Sequence, residues 1–416
     1  MLTSLAYIFL TALLLGYVFT KLRLPTLLGM LIAGILLGPY ALNIIDDSLL
    51  SISTELRQIA LVIILLRAGL ALDIRDLKKV GRPAILMSFV PALFEIGGMM
   101  LLAPPLLGVS LLEAAIMGSV VAAVSPAVIV PKMLYLMDQK IGTKKGIPQL
   151  IMAAGSVDDV FVIVLFTAFT TLALGGEVTT LGFMQIPVSI LTGLALGVLV
   201  GWALTLYFKN YHMRDSIKLL ILMCCSFLFL SVESWLKGWV PLSGLLAVMA
   251  MGATILLTYP LLAHRISPKF SKLWVAAEIM LFVLVGATVD IQFALKAGPL
   301  MIALLLMVLL FRMAGVYFST FRTQLNSKER IFSMIAYIPK ATVQAAIGSL
   351  PLAMGLPCGT IVLTAAVLAI LITAPLGAFA IDASYEKLLL PEGGEKEIDH
   401  IPSDSIGVFG GNQKDE

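Results

Sequence analysis

The sequence predicts an all-α polytopic membrane protein of about thirteen transmembrane helices, arranged as inverted five-helix repeats with two crossed broken helices. Three observations predict it. The composition is too apolar for a soluble surface, basic residues recur in every second loop, and proline breaks fall at matching places in the two halves.

The chain has 416 residues, of which 60% are hydrophobic and 13% charged. An ordinary soluble domain carries about 25% charged residues. Mean hydropathy is +1.03, so the apolar excess runs along the whole chain. Too few polar residues exist to clothe a soluble fold of this size, and the lipid bilayer must cover the outside. Net charge is +3 with no long basic run, which argues against nucleic acid as a partner. Cys224, Cys225 and Cys358 lie in apolar stretches and read as small buried side chains, not a disulfide frame or metal site. His212, His264 and His400 form no metal-ligand spacing. No cofactor is therefore expected beyond transported ions. The apolar N-terminus lacks a basic leader and a small-residue cleavage site, and its basic residues follow the apolar run. It reads as a retained first membrane helix.

A membrane helix needs about 20 mostly apolar residues. Such segments fall at residues 3–20, 24–40, 55–73, 83–105, 113–132, 147–174 and 186–208. The series continues at 217–235, 239–258, 271–290, 298–321, 329–350 and 358–382. The loops test the count. Those after odd-numbered spans carry Lys21 and Arg23; Arg75, Lys78, Lys79 and Arg82; and Lys140, Lys144 and Lys145. The later ones carry Lys209, Arg214 and Lys218; Arg265, Lys269 and Lys272; and Arg322, Lys328 and Arg330. Loops after even-numbered spans hold Asp46, Asp47 and Glu177, with Lys237 and Lys296 as the basic exceptions. By the positive-inside rule the N-terminus is outside and the C-terminus cytoplasmic, in an inner or plasma membrane. Residues 1–382 form the transmembrane domain, and 383–416 a short charged, flexible cytoplasmic tail, too short for a nucleotide-binding domain.

The fifth span contains AAVSPAVIVP, with Ser125-Pro126 near its middle, and the twelfth contains AYIPKATVQAAIG, with Pro339-Lys340 near its middle. A proline inside a helix removes a hydrogen bond and clashes with the preceding turn. At membrane depth such a break is tolerated only inside protein or beside a water-filled cavity. If spans two to six and nine to thirteen form two units, each break lies on the fourth helix of its unit. Seven spans separate corresponding members, so the units run in opposite directions. Interrupted segments at corresponding positions of inverted repeats point to a transporter's binding site near the midplane.

Charges in the spans sharpen this. Asp158 and Asp159 sit near the centre of the sixth span, in MAAGSVDDVFVIVLF. A carboxylate at that depth costs about 2.5–3.5 kcal/mol on insertion scales. Low dielectric and a like-charged neighbour both disfavour ionisation of the pair. A proton and a hard monovalent cation such as Na+ or Li+ would then compete for the same oxygens, and competition coupled to alternating access gives exchange. Glu95 is central in the fourth span and Arg312 in the eleventh, the third helices of the two units. They are candidates for an ion pair, with Asp158 as the other candidate partner of Arg312. Lys340, at the second break, is placed to pair with an aspartate or to neutralise the carbonyl ends of the broken half-helices. Glu278, nearer the cytoplasmic end of the tenth span, is a candidate for lining the access path, and Arg67 reads as structural, snorkelling to the inner interface.

The stretches LLRAGLALD, AVSPAVIVP, KKGIPQLIMAAGSVDDV and IPKATVQAAIG resemble the monovalent cation:proton antiporter superfamily, especially NHA-type sodium/proton exchangers and bacterial two-aspartate antiporters. The resemblance implies a thirteen- or fourteen-helix antiporter fold and a homodimer. It implies a mobile core, here about residues 55–174 and 271–382, moving like an elevator against dimerisation helices at about 24–40 and 186–258. It implies that Asp159 is the main ion-binding carboxylate with Asp158 assisting, and that Lys340 is the basic residue of the broken helix. Arg312 falls where bacterial relatives have a lysine paired with the first aspartate and where NHA-type members have an arginine paired with a glutamate matching Glu95. The expected function is Na+ (or Li+)/H+ exchange, with K+/H+ antiport or sodium-coupled organic-anion symport as alternatives. An intramembrane aspartyl protease needs two acids facing each other, whereas adjacent positions on one helix diverge by about 100°. A cation channel would need a symmetric selectivity ring that the sequence does not contain.

Overall fold

The computed structural model describes residues 1–22, 24–71, 81–174, 180–211, 213–236 and 242–389. Arg23, Arg75, Lys78, Lys79, Glu177, His212, Lys237, His400 and the tail beyond 389 lie outside them. Among the described residues the chain is helical throughout. The helices are α1 (Leu2–Lys21), α2 (Thr26–Leu37), α3 (Asp47–Leu50), α4 (Ser53–Ala71), α5 (Arg82–Met87) and α6 (Val90–Leu107). Next come α7 (Leu111–Ala122), α8 (Pro126–Asp138), α9 (Ile147–Leu174), α10 (Thr180–Asn210), α11 (Asp215–Leu236) and α12 (Gly244–Thr258). The last are α13 (Pro260–Ala287), α14 (Ile291–Ser319), α15 (Ser327–Ala336), α16 (Thr342–Ile347), α17 (Leu350–Ala353) and α18 (Gly359–Leu388).

Nine helical segments among the described residues are long and apolar enough to cross a membrane. The other expected spans fall on the shorter or interrupted α2, α12 and α15–α17, and on the 19-residue α4, which carries Glu55, Arg57 and Arg67. Boundaries moved for local reasons. The fourth span is interrupted at Ser88 and Phe89, where Pro91 opens the first turn of α6. The loop expected to carry Arg265, Lys269 and Lys272 is helical, because Pro260 starts α13 one residue after α12 ends. The last helix runs to Leu388, six residues past the expected end.

The two breaks are where the prolines place them. Ala123–Ser125 separates α7 from α8, whose first residue is Pro126, a position that needs no N–H. Tyr337–Ala341 separates α15 from α16. The breaks touch directly: the Ser125 N–H donates to the Pro339 carbonyl at 2.9 Å.

The packing repeats under exchange of the halves. α2 packs on α13 as α12 packs on α4; α6 packs on α14 and α4 on α13; α7 packs on α9 as α15 packs on α18. Glycines mark the same relation. A Cβ on Gly34 of α2 would lie 2.0 Å from the Val283 carbonyl oxygen, and one on Gly286 of α13 would lie 2.2 Å from that of Leu31. In the other half, a Cβ on Gly69 of α4 would lie 2.5 Å from the Met249 carbonyl oxygen. Small residues let the backbones close where lipid supplies no hydrophobic drive. α4 and α13 pack chiefly on each other and with α1, α2, α11 and α12, where those glycine crossings tie α13 to α2 and α4 to α12.

Ion pairs sort the helix ends onto two faces. Lys145 meets Glu329 at 2.7 Å and Arg265 meets Asp215 at 3.2 Å, each joining two of the basic connections. The N-terminal amine lies 3.4 Å from Asp46 on the other face.

Candidate functional site

At the crossing, three acids and two bases come together on four elements: Glu95 from α6, Asp158 and Asp159 from α9, Arg312 from α14, and Lys340 from the second break. Helix ends create the need for the bases. The last carbonyls of α7 lose their intrahelical partners at the break and carry the negative end of its dipole. Arg312 donates through Nη1 to the Ala122 carbonyl, and Lys340 Nζ approaches the same oxygen at 3.4 Å. Gln344 completes the cap: its Nε2 donates to the carbonyls of Val121 at 3.0 Å and Ala123 at 2.8 Å.

Arg312, fully buried, bridges two carboxylates. Its Nη1 donates to Glu95 Oε2 at 2.9 Å, its Nη2 to Asp158 Oδ2 at 2.8 Å, and its Nε to the Tyr337 carbonyl at 3.0 Å. Both candidate partners of Arg312 are thus engaged at once. Lys340 Nζ donates to Glu95 Oε2 at 2.6 Å, while its backbone N–H is held by Thr373 Oγ1 at 2.9 Å. Lys340 therefore serves Glu95 first and the α7 carbonyl end second, and it forms no ion pair with either aspartate. The open N-terminal side of the first break serves Asp158, whose Oδ2 also accepts the Val124 N–H at 2.9 Å. Buried charges persist when paired and hydrogen-bonded this densely.

Asp159 differs. It has no ion-pair partner among the described residues, and its Oδ1 is buried without a hydrogen bond. Asp158 Oδ1 and Ser125 Oγ are bare in the same way. With every group ionised, Glu95, Asp158 and Asp159 against Arg312 and Lys340 leave one net negative charge. The bare oxygens of two carboxylates and a serine are the hard donors that an alkali cation takes. Pro126 and Pro339 shape the two breaks without contributing a side-chain donor. Glu278 stands outside the cluster, half-buried on α13, within electrostatic range of Arg67 on α4.

The chain matches the family model described as sodium/hydrogen exchanger, transmembrane, over residues 9–383. The chain belongs to the sodium/hydrogen exchanger family. Members similar to it include sodium/hydrogen exchanger 9B2 of Mus musculus, 35% identical over 371 residues, spanning 86% of this chain and 67% of that protein. The Homo sapiens 9B2 protein is 34% identical over 381 residues, 88% of this chain and 70% of its own length. In fold, the chain matches the sodium proton antiporter MjNhaP1 from Methanocaldococcus jannaschii at pH 8, with a TM-score of 0.79 at 19% identity. That match covers 93% of this chain and 99% of the other. Exchangers of this family are transporters, and this one is a multi-pass membrane protein.

Sequence reasoning passed over Gln344, Tyr337 and Thr373. One signal was present for Gln344, an amide one turn beyond Lys340 on a helix with no water to serve. A repeat signal was also present: Gly69 and Gly286 are each followed four residues later by Asp-Ile, at Asp73-Ile74 and Asp290-Ile291.

Proposed function

We propose that this chain exchanges Na+ or Li+ for protons, the two competing at Asp158 and Asp159, by elevator-type alternating access. The observation that carries the reading is the half-buried, unpaired Asp159, whose Oδ1 is buried without a hydrogen bond at the crossing of two broken helices. Asp158 is held by Arg312 and the Val124 N–H, so it serves as the oriented neighbour. Asp159 is then the carboxylate that a cation or a proton neutralises. Either one cancels the single excess negative charge, which supports one proton per cation. Arg312, Glu95 and Lys340 keep the α7 end and Asp158 in place while the charge changes beside them.

The packing also supports an orientation. α16, on the face away from the basic connections, packs on α4 and α13. Its counterpart α8, toward the basic face, makes no comparable contact with them among the described residues. The site is thus approached from the basic face, where Glu278 of α13 lines the access path. Under the positive-inside rule that face is cytoplasmic, with the N-terminus outside the inner or plasma membrane. The lipid-facing scaffold helices offer the surface for a homodimer.

The test is a pH-gradient dye assay in proteoliposomes with Na+, Li+ and K+ added in turn. Na+ and Li+ are expected to collapse the gradient, and Asp159→Asn to abolish the response. Full exchange by that variant would remove Asp159 from the site, and a response to K+ alone would replace the substrate.

A further inference from the structure

Tyr337 has no part in the exchange scheme above, yet it is built into the site. It ends α15 at the start of the second break and is 1% exposed. Its ring lies beneath the Arg312 guanidinium, 5.2 Å from carbon to ring centroid, and its carbonyl holds Nε of the same arginine. Two attachments to one guanidinium fix where the ring sits. On that seat the phenol oxygen is buried and has no hydrogen-bond partner. Buried tyrosine hydroxyls ordinarily find one. Both carboxylates, Asp158 and Asp159, act on this phenol electrostatically. The ring shares an apolar cluster with Ile151 and Ala154, which lie on α9 about two turns and one turn from Asp158 toward the basic face.

The molecule thus places a bare hydroxyl within electrostatic range of two carboxylates that each keep a bare oxygen, on the side from which the proposed exchange admits a cation. We infer that the Tyr337 hydroxyl is an oxygen ligand of the transported cation, reached directly or through one of the cation's own waters. The inference rests on exchange at Asp158 and Asp159. The chemistry separates the two competing ions. A proton needs one oxygen, whereas an alkali cation that sheds water needs several. A neutral hydroxyl adds a ligand without changing the charge count, so it favours the cation over the proton.

The test is Tyr337→Phe, which keeps the ring under Arg312 and deletes only the oxygen. In proteoliposomes of the full chain, the apparent KM for Na+ and Li+ is expected to rise about three- to tenfold, the worth of one hydrogen-bond-sized contact. The maximal rate should stay within about twofold, since the carboxylates that carry the charge are unchanged. As a readout independent of transport, the rise in melting temperature that NaCl gives over choline chloride should shrink. The proposal is overturned by an unchanged KM and Na+ stabilisation. It is equally overturned if the variant melts lower in choline chloride and loses maximal rate, which would make Tyr337 a packing residue. Asp159→Asn is run beside it. If that variant still exchanges, the site assignment itself has failed; if it is inactive while Tyr337→Phe matches the parent, only the hydroxyl's role has.

Discussion

Glu95 accepts from both Arg312 and Lys340, so its removal and the removal of either base are unequal events. Glu95→Gln leaves Arg312 with Asp158 and two carbonyls, and leaves Lys340 with no carboxylate partner, only the Ala122 carbonyl at 3.4 Å. Breaking a buried pair from one side costs about 3–5 kcal/mol, because the other charge stays behind uncompensated. Lys340→Gln is milder, since Glu95 keeps Arg312 at 2.9 Å. Thermal unfolding in detergent should therefore fall further for Glu95→Gln than for Lys340→Gln. The reverse order would mean that Arg312 belongs to Asp158 alone. These residues also explain how an acid survives unpaired beside them. Donors that could otherwise reach Asp159 are spent elsewhere: Arg312 on Asp158, Glu95 and the Ala122 carbonyl, and Gln344 on the Val121 and Ala123 carbonyls.

Between elements, close glycine crossings hold α2 to α13 and α4 to α12. A Cβ on Gly34 would meet the Val283 backbone, which has no rotamer with which to yield. Overpacking of that kind costs about 1–3 kcal/mol. Gly97, on α6, faces open space, with nothing within 4 Å of an added Cβ. Gly97→Ala should be neutral or stabilising by up to about 1 kcal/mol through helix propensity. The expected result is a lower melting temperature for Gly34→Ala and an equal or higher one for Gly97→Ala. Equal melting of both would mean that the α2–α13 crossing is looser than drawn. The broken helices follow a different rule. Their stability comes from each other, through Ser125 to Pro339 and Gln344 to the α7 carbonyls, and not from lipid.

For the whole molecule, the proposed exchange at Asp159 has a consequence for charge balance. With one excess acid among the five charges at the crossing, one proton would replace one monovalent cation with no net movement of charge. Moving an uncompensated charge across a membrane is worth about 2.3 kcal/mol per 100 mV. Exchange measured in proteoliposomes at imposed potentials of either sign should therefore run at the same rate. A rate that follows the potential would imply a second proton, and with it release of Asp158 from Arg312.

Much of this was written in the linear chain. Lipid solvation is a matter of composition and loop charge, so the membrane class, the spans and the sided loops can be read without coordinates. Proline chemistry is equally local, and the breaks stand at Ser125-Pro126 and Pro339 as the chain dictates. Adjacent acids at membrane depth are costly enough to announce a site by themselves. Partner choice was not local. Arg312 had two acids open to it and takes both, and Lys340 prefers Glu95 to an aspartate, because α6, α14 and the two breaks meet at one point. The packing of α13 on α2 and of α4 on α12 likewise depends on which glycines face which backbones, and the orphaned Tyr337 hydroxyl on where Arg312 pins its ring. The contacts of Arg312 and Lys340 join residues 25 to 245 positions apart, and spacing along a chain carries no information about distances that only folding creates.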